Sequence, residues 1–234
     1  MLKRLIPLCL LFLAAVTLPG LAQSSVVQNV RQVSQKFRNQ VDSGNASVTW
    51  KGLGLVSGDM VDMELTNNTG SPQTFRFVPG MVLTDPGRQV QPVILEENLK
   101  FTLEPGESVK RRMRGYCLDY SKEPPAADTE EDYQISPDLA GYEDVVAILY
   151  RGLRLDRDQK FKPVLRPLIH RTVVIQRAIW ASLGGENPGT EDELEKDLED
   201  EIRYRSSIFP EGQLDCLSER IWSDVQQVMT DSGE

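Results

Sequence analysis

Residues Arg171–Leu183 read RTVVIQRAIWASL, and no other stretch restricts the fold as tightly. Extended back to Leu165 on a helix, it places Leu165, Leu168, Ile169, Thr172, Val173, Ile179, Trp180 and Leu183 on one face. These are the three- and four-residue steps of an amphipathic helix. The same steps put Gln176 in the middle of that face. Burying a primary amide without partners costs about 1–3 kcal/mol. The helix must therefore meet a polar group from another part of the chain, and that group bears on what the protein does.

The N-terminus gives the address. Lys3 and Arg4 precede an apolar run from Leu5 to Leu18, and Gly20-Leu21-Ala22 offers small residues at a cleavage point. That is the pattern of a secretory signal peptide over residues 1–22. The run is too short to anchor a mature chain as a spanning helix, and Cys9 leaves with it. A secreted or cell-surface protein is expected. The 234-residue chain has a formal net charge of −9, more negative once Lys3 and Arg4 are gone. Such a chain is repelled by nucleic acid and by anionic lipid, and no later stretch is suited to direct membrane insertion. Cys117 and Cys216 survive processing, and in an exported protein one disulfide between them is a standing expectation.

The hydrophobic period divides the rest. Ser24–Val41 carries Val26, Val30, Val33, Phe37 and Val41 on one stripe, so residues 23–46 read as a lead-in helix and linker. That helix either packs on the main body or self-associates. From Ser47 to Cys117 the period is two, in short runs split by Ser57-Gly58-Asp59, Asn67-Asn68-Thr69-Gly70, Asp85-Pro86-Gly87 and Glu104-Pro105-Gly106. Residues 47–120 are read as an antiparallel β-sandwich, immunoglobulin-like by analogy of Met60–Leu65 and the Asn-Asn-Thr-Gly turn after it. Asn45-Ala46-Ser47 and Asn67-Asn68-Thr69 fit the common glycosylation triplet. Residues 121–135 have the composition of a linker. Helical periodicity fills 136–234: Val145, Ile148, Leu149 and Leu153; then the Gln176 helix, ending at Gly184-Gly185; then a helix with Leu194, Leu198 and Ile202 behind a Thr190/Glu193 capping box; then Leu214, Leu217, Ile221, Val225 and Val228. The expected fold is α+β: a lead-in helix, an immunoglobulin-like antiparallel β-sandwich domain, and a C-terminal helical domain closing against it.

Several candidate chemistries give way to plainer readings. The acidic stretch Glu191–Glu201 lacks the alternating ligands and turn glycine of a calcium loop, and acids suit the first turns of a capped helix. His170, the only histidine, supports no triad or zinc cluster and reads as a surface or helix-end residue. Lys110-Arg111-Arg112-Arg114 reads as a charged edge strand that discourages sheet-to-sheet association. Its functional alternative is a set of guanidinium groups favouring the Cys117 thiolate. No metal or cofactor site is read.

One constellation remains. Tyr116-Cys117-Leu118-Asp119-Tyr120 is followed by Val145–Leu153 (VVAILYRGL) and by Ile175-Gln176-Arg177-Ala178-Ile179-Trp180. Together, over Tyr116–Leu183, these segments resemble the thioester domains of Gram-positive surface adhesins. In that family a Tyr-Cys-aliphatic segment ends a strand, a Gln-x-Ala-Ile-Trp segment lies on a helix, and an Ile-Leu-Tyr-x-Gly helix falls between them in sequence.

The resemblance implies that Cys117 and Gln176 join in an internal thioester, with loss of ammonia. Such a bond must be shielded until an amine arrives, and Tyr116, Tyr120, Tyr150 and Trp180 are the implied shield. The partner would be a protein or other amine-bearing surface, captured once, so the protein would not be an enzyme. The competing reading is a non-covalent structural or interaction module, with Gln176 hydrogen-bonded to backbone at the end of the last strand and Cys117 either paired with Cys216 or left as a buried thiol.

Overall fold

The computed structural model describes residues 19–87, 89–184, 190–196 and 214–231. Most of the expected signal peptide, Cys9, and the expected helix positions Leu198 and Ile202 lie outside the described residues. The fold is α+β, built on a curled antiparallel sheet with helices at one end.

Among the described residues there are nine strands: β1 (Ala46–Gly52), β2 (Ser57–Asn67), β3 (Gln73–Phe77), β4 (Val82–Thr84), β5 (Val93–Leu95), β6 (Leu99–Leu103), β7 (Ser108–Cys117), β8 (Glu130–Glu131) and β9 (Gln134–Ser136). Seven form one sheet in the order β8-β1-β2-β7-β5-β4-β9, and β3 pairs with β6 apart from it. The segment read as a linker by composition therefore supplies both edge strands, β8 against β1 and β9 against β4. Two-residue and three-residue pairings leave almost no sequence period, which is why composition alone did not reveal them.

The long strands β2 and β7 alternate as a half-solvated sheet should. Met63, Leu65 and Met113 are buried with Trp50 of β1. The other face is a ladder of opposite charges: Lys51 stands opposite Asp62 and Asp62 opposite Arg112, with Glu64 opposite Lys110 beside them. Arg112 makes a two-pronged pair with Asp62 at 2.9 and 3.1 Å, and its guanidinium holds that carboxyl below the ordinary range. The basic run is thus not an edge strand. β7 lies in the middle of the sheet; Lys110 and Arg112 pair across it with Glu64 and Asp62, and Arg111 lies over the Phe101 ring.

Turn chemistry accounts for three of the four expected reversals. Asp85 accepts from the N–H groups of Gly87 and Gln89 at 2.8 and 2.6 Å, and Gly106 turns the β6–β7 connection with φ of 75°. Asn67 is fully buried, and its amide donates to the carbonyls of Ser71, Leu103 and Glu104. That side chain is structural, which removes it as a glycosylation site; Asn45 is exposed. Ser57-Gly58-Asp59 is no turn. It opens β2, and a bulge between Asp59 and Val61 absorbs the irregularity.

Helix α1 (Pro19–Asp42) lays Val27, Val30 and Phe37 against the body. The Phe37 ring sits 5.0 Å from that of Phe77 and 6.4 Å from that of Phe75. Its apolar stripe is used inside this chain, so self-association through it is overturned. Helix α2 (Glu143–Arg157) buries Val145, Ile148 and Leu149, while helical turns at 191–196 (α4) start at the expected box, Glu193 accepting from the Thr190 N–H at 2.9 Å. Helix α5 (Leu214–Thr230) buries Ile221, Val225 and Val228.

Helix α3 (Pro167–Leu183) starts with Pro at its first position and stops at Gly184, φ 63°. Its burial differs from the amphipathic expectation. Residues Val174 through Trp180 are all buried, whereas Leu168 and Ile169 are about half exposed. The helix is enclosed by α2, α5 and β2, and a helix enclosed this way is buried all round. His170 is also fully buried, not on the surface.

Helices α2 and α3 approach closely at Gly152. A Cβ there would sit 2.6 Å from Cγ1 and 2.9 Å from Cδ1 of Ile175, next to Gln176. Gly152→Ala is expected to destabilise the fold by about 1–3 kcal/mol through overpacking, read by urea unfolding. Adding Ile175→Val should recover part of the loss; a neutral Gly152→Ala would contradict the contact.

Candidate functional site

Strand β7 ends at Cys117, one residue past its last pairing with β2. Cys117 stands opposite Val93 of β5, and its N–H reaches across to the carbonyl of Val56 at 3.0 Å. The same N–H also donates to Oε1 of Gln176 at 3.1 Å, and Nε2 of Gln176 donates to the Cys117 carbonyl at 2.9 Å. The Gln176 carboxamide thus grips one residue's backbone with both of its ends. Cys117 is fully buried and Gln176 is 3% exposed. The polar partner that the helix periodicity requires is the peptide backbone of Cys117.

The thiol and the carboxamide therefore belong to the same buried junction. Burial pushes the Cys117 thiol far above its ordinary range. The arginines of β7 do not offset that, so the thiolate-favouring reading of the basic cluster is overturned. Both cysteines are free thiols, Cys117 buried and Cys216 exposed on α5. The Cys117–Cys216 disulfide is not formed, because the two sit in different layers of the fold.

The four aromatic residues of the expected shield separate. Trp180, 3% exposed, lies one turn beyond Gln176, and the Tyr120 ring meets it edge-on at 5.2 Å. The Arg177 guanidinium lies 5.2 Å from the Trp180 ring centre. Tyr120 is the solvent-facing member, about half exposed. Tyr116 is fully buried, but successive strand residues face opposite sides, and its hydroxyl donates to Oε2 of Glu96 at 2.6 Å. Burial and the Glu96 carboxylate raise that phenol well above its ordinary range. Tyr150 is half-buried on α2 within electrostatic reach of Arg76 on β3. Trp180 and Tyr120 are brought together; Tyr116 and Tyr150 are committed elsewhere.

Sequence reading missed the polar network beside the junction. Glu96 accepts from Arg114 Nε of β7 and from Arg171 Nη2 of α3, the latter at 2.7 Å. Arg114 also donates to Thr172 Oγ1 at 2.9 Å, and Arg171 to Asp156 at 3.2 Å. Neighbouring Glu97, half-buried, accepts from the Arg114 N–H at 3.1 Å, and burial raises its carboxyl above the ordinary range. An acidic pair directly after the apolar run Val93–Leu95 was the available signal, since a charge adjoining a buried strand needs a countercharge. Tyr133, whose hydroxyl donates to the Gln91 carbonyl at 2.7 Å, was missed as well.

Among the described residues no group of three or more metal-ligating side chains converges. Comparison with protein-family models, with curated proteins and with solved structures finds no match.

The two thiols should differ sharply in reactivity. In the folded protein iodoacetamide near neutral pH is expected to modify Cys216 and spare Cys117, and mass spectrometry of peptides reads the difference. Equal rates at both positions would contradict the burial of Cys117.

Proposed function

We propose that this chain is an exported, surface-associated binding protein whose Cys117 and Gln176 close to an internal thioester that captures an amine on its target. The observation that supports this reading is the two-point grip of the Gln176 carboxamide on the backbone of Cys117, the residue that carries the thiol. In the closing step Sγ of Cys117 bonds to Cδ of Gln176, the Cδ–Nε2 bond breaks, and the thiol proton leaves with ammonia. The Cys117 N–H on Oε1 is placed to stabilise the charge that gathers on that oxygen as the sulfur adds. A target amine then displaces the thiol and leaves an amide to the former Gln176 carbonyl. Each molecule reacts once, so the protein is a covalent binder and not an enzyme.

Burial serves the product as well. A thioester persists only where water is kept out, and the Trp180–Tyr120 pair, one turn beyond Gln176, is the cover this reading assigns to it. In this reading the β half is an immunoglobulin-like support, and the C-terminal helices form a domain that closes over its open end.

A second reading is favoured by the same hydrogen bonds taken at face value. Both ends of the carboxamide are already satisfied by backbone, so Gln176 can act purely as a dock between α3 and β7 in a non-covalent interaction module, without a disulfide staple.

Intact mass separates the two. The purified secreted protein should weigh one ammonia less than its mature sequence, and methylamine should add as a whole molecule at Gln176. Cys117→Ala should abolish both effects. A full sequence mass with no methylamine addition would overturn the thioester and leave the docking module.

A further inference from the structure

A net charge of −9 is an average over the surface, and one region departs from it. The connection from α2 together with the start of α3, residues 159–169, reads QKFKPVLRPLI and contains no acid. Lys160, Lys162 and Arg166 are exposed there and have no ion-pair partner among the described residues. Acids on the neighbouring elements are already engaged: Asp156 with Arg171, Asp158 with Arg157, Asp59 with Arg114 and Asp224 with His170.

Between those cations stand exposed aliphatic side chains. Val164 is 37% exposed, and Leu168 and Ile169 about half. The start of β2 comes to the same edge: a Cβ on Gly58 would lie 3.8 Å from Cγ2 of Thr172, whose hydroxyl donates to the Leu168 carbonyl. The β1–β2 loop just before it adds Leu55 and Val56, also exposed. Exposed apolar residues that gather in this way mark an interaction surface.

The backbone beneath is held. Phe161 is buried edge-on to His170 at 6.2 Å, and the Lys162 N–H donates to Asp224 at 3.2 Å. Asp224 in turn meets His170 Nε2 at 2.8 Å, deep between α3 and α5. Only the side chains at the tip are free to engage something else.

We propose that this edge is a docking surface for an anionic membrane. The aliphatic tips suit shallow insertion at the boundary of headgroups and acyl chains, and the three cations on long stems suit the phosphate layer above it. Charge complementarity selects an anionic bilayer over a neutral one. The attachment is peripheral, since no described helix is long and apolar enough to cross a membrane. The proposal does not depend on the Cys117–Gln176 bond.

Flotation of the mature protein with vesicles tests it. At low salt the protein should bind vesicles of equal parts phosphatidylglycerol and phosphatidylcholine, bind pure phosphatidylcholine far more weakly, and release as salt rises. The triple variant K160Q/K162Q/R166Q should lose about a hundredfold in affinity, about fivefold per charge, and L168S/I169S should weaken binding without removing its salt dependence. All five changes are on exposed side chains, and circular dichroism checks that the fold is retained. Absence of binding to the phosphatidylglycerol vesicles, or binding that neither variant alters, would overturn the proposal. A dimer in sedimentation velocity that both variants dissolve, with no vesicle binding, would overturn it in favour of a second copy of this chain.

Discussion

The exchange of two hydrogen bonds between the Gln176 carboxamide and the Cys117 backbone is the joint on which the rest of the structure turns. β7 is the strand that carries the sheet's register, paired with β2 along nearly its whole length and with β5 at its end. Its last peptide lies inside the fold, where each unmet polar group costs about 1–3 kcal/mol. The Cys117 N–H is shared between the Val56 carbonyl and Oε1 of Gln176, and the Cys117 carbonyl is met by Nε2 of Gln176. Because α3 is buried around its middle by α2 and α5, fixing this one amide fixes the helical layer against the sheet.

The Glu96 network sets the angle at which that layer meets the sheet. Glu96 lies after β5, Arg114 on β7 and Arg171 on α3, so a single carboxylate ties three elements. Breaking a buried ionic set by removing one member costs about 3–5 kcal/mol, because the remaining charges cannot recover their solvation. The geometry at Cys117 is thus held from both sides of α3: by packing of Ile175 on Gly152 and by guanidinium–carboxylate pairs one turn earlier. A junction held this rigidly is what a slow intramolecular reaction needs. It is equally what a permanent structural dock needs.

Much of this was legible in the residues. The long period-two strands, the Asp85 and Gly106 turns, the Thr190/Glu193 cap, and a buried polar partner for Gln176 all follow from local pattern. What escaped was settled by tertiary placement. β8 and β9 are too short to show a period, and they sit in a stretch whose Pro and Glu content reads as linker. His170 looked like a surface residue because its partner, Asp224, lies in another helix. Leu168 and Ile169 were placed on the buried face because they match the helical step, yet the face is set by what covers it. On the Leu168 and Ile169 side of the first turn of α3 the described residues leave both about half exposed. The basic run on β7 looked like an edge because its acidic partners, Asp62 and Glu64, are far off in sequence.

The thioester proposed between Cys117 and Gln176 would make their contact a covalent junction in the mature protein. A high-resolution crystal structure of the protein purified from the secreted fraction tests it most directly. Continuous electron density is expected between Sγ of Cys117 and Cδ of Gln176, with Oε1 still accepting from the Cys117 N–H and no atom at Nε2. An intact carboxamide resting on the Cys117 backbone beside a reduced thiol would contradict it.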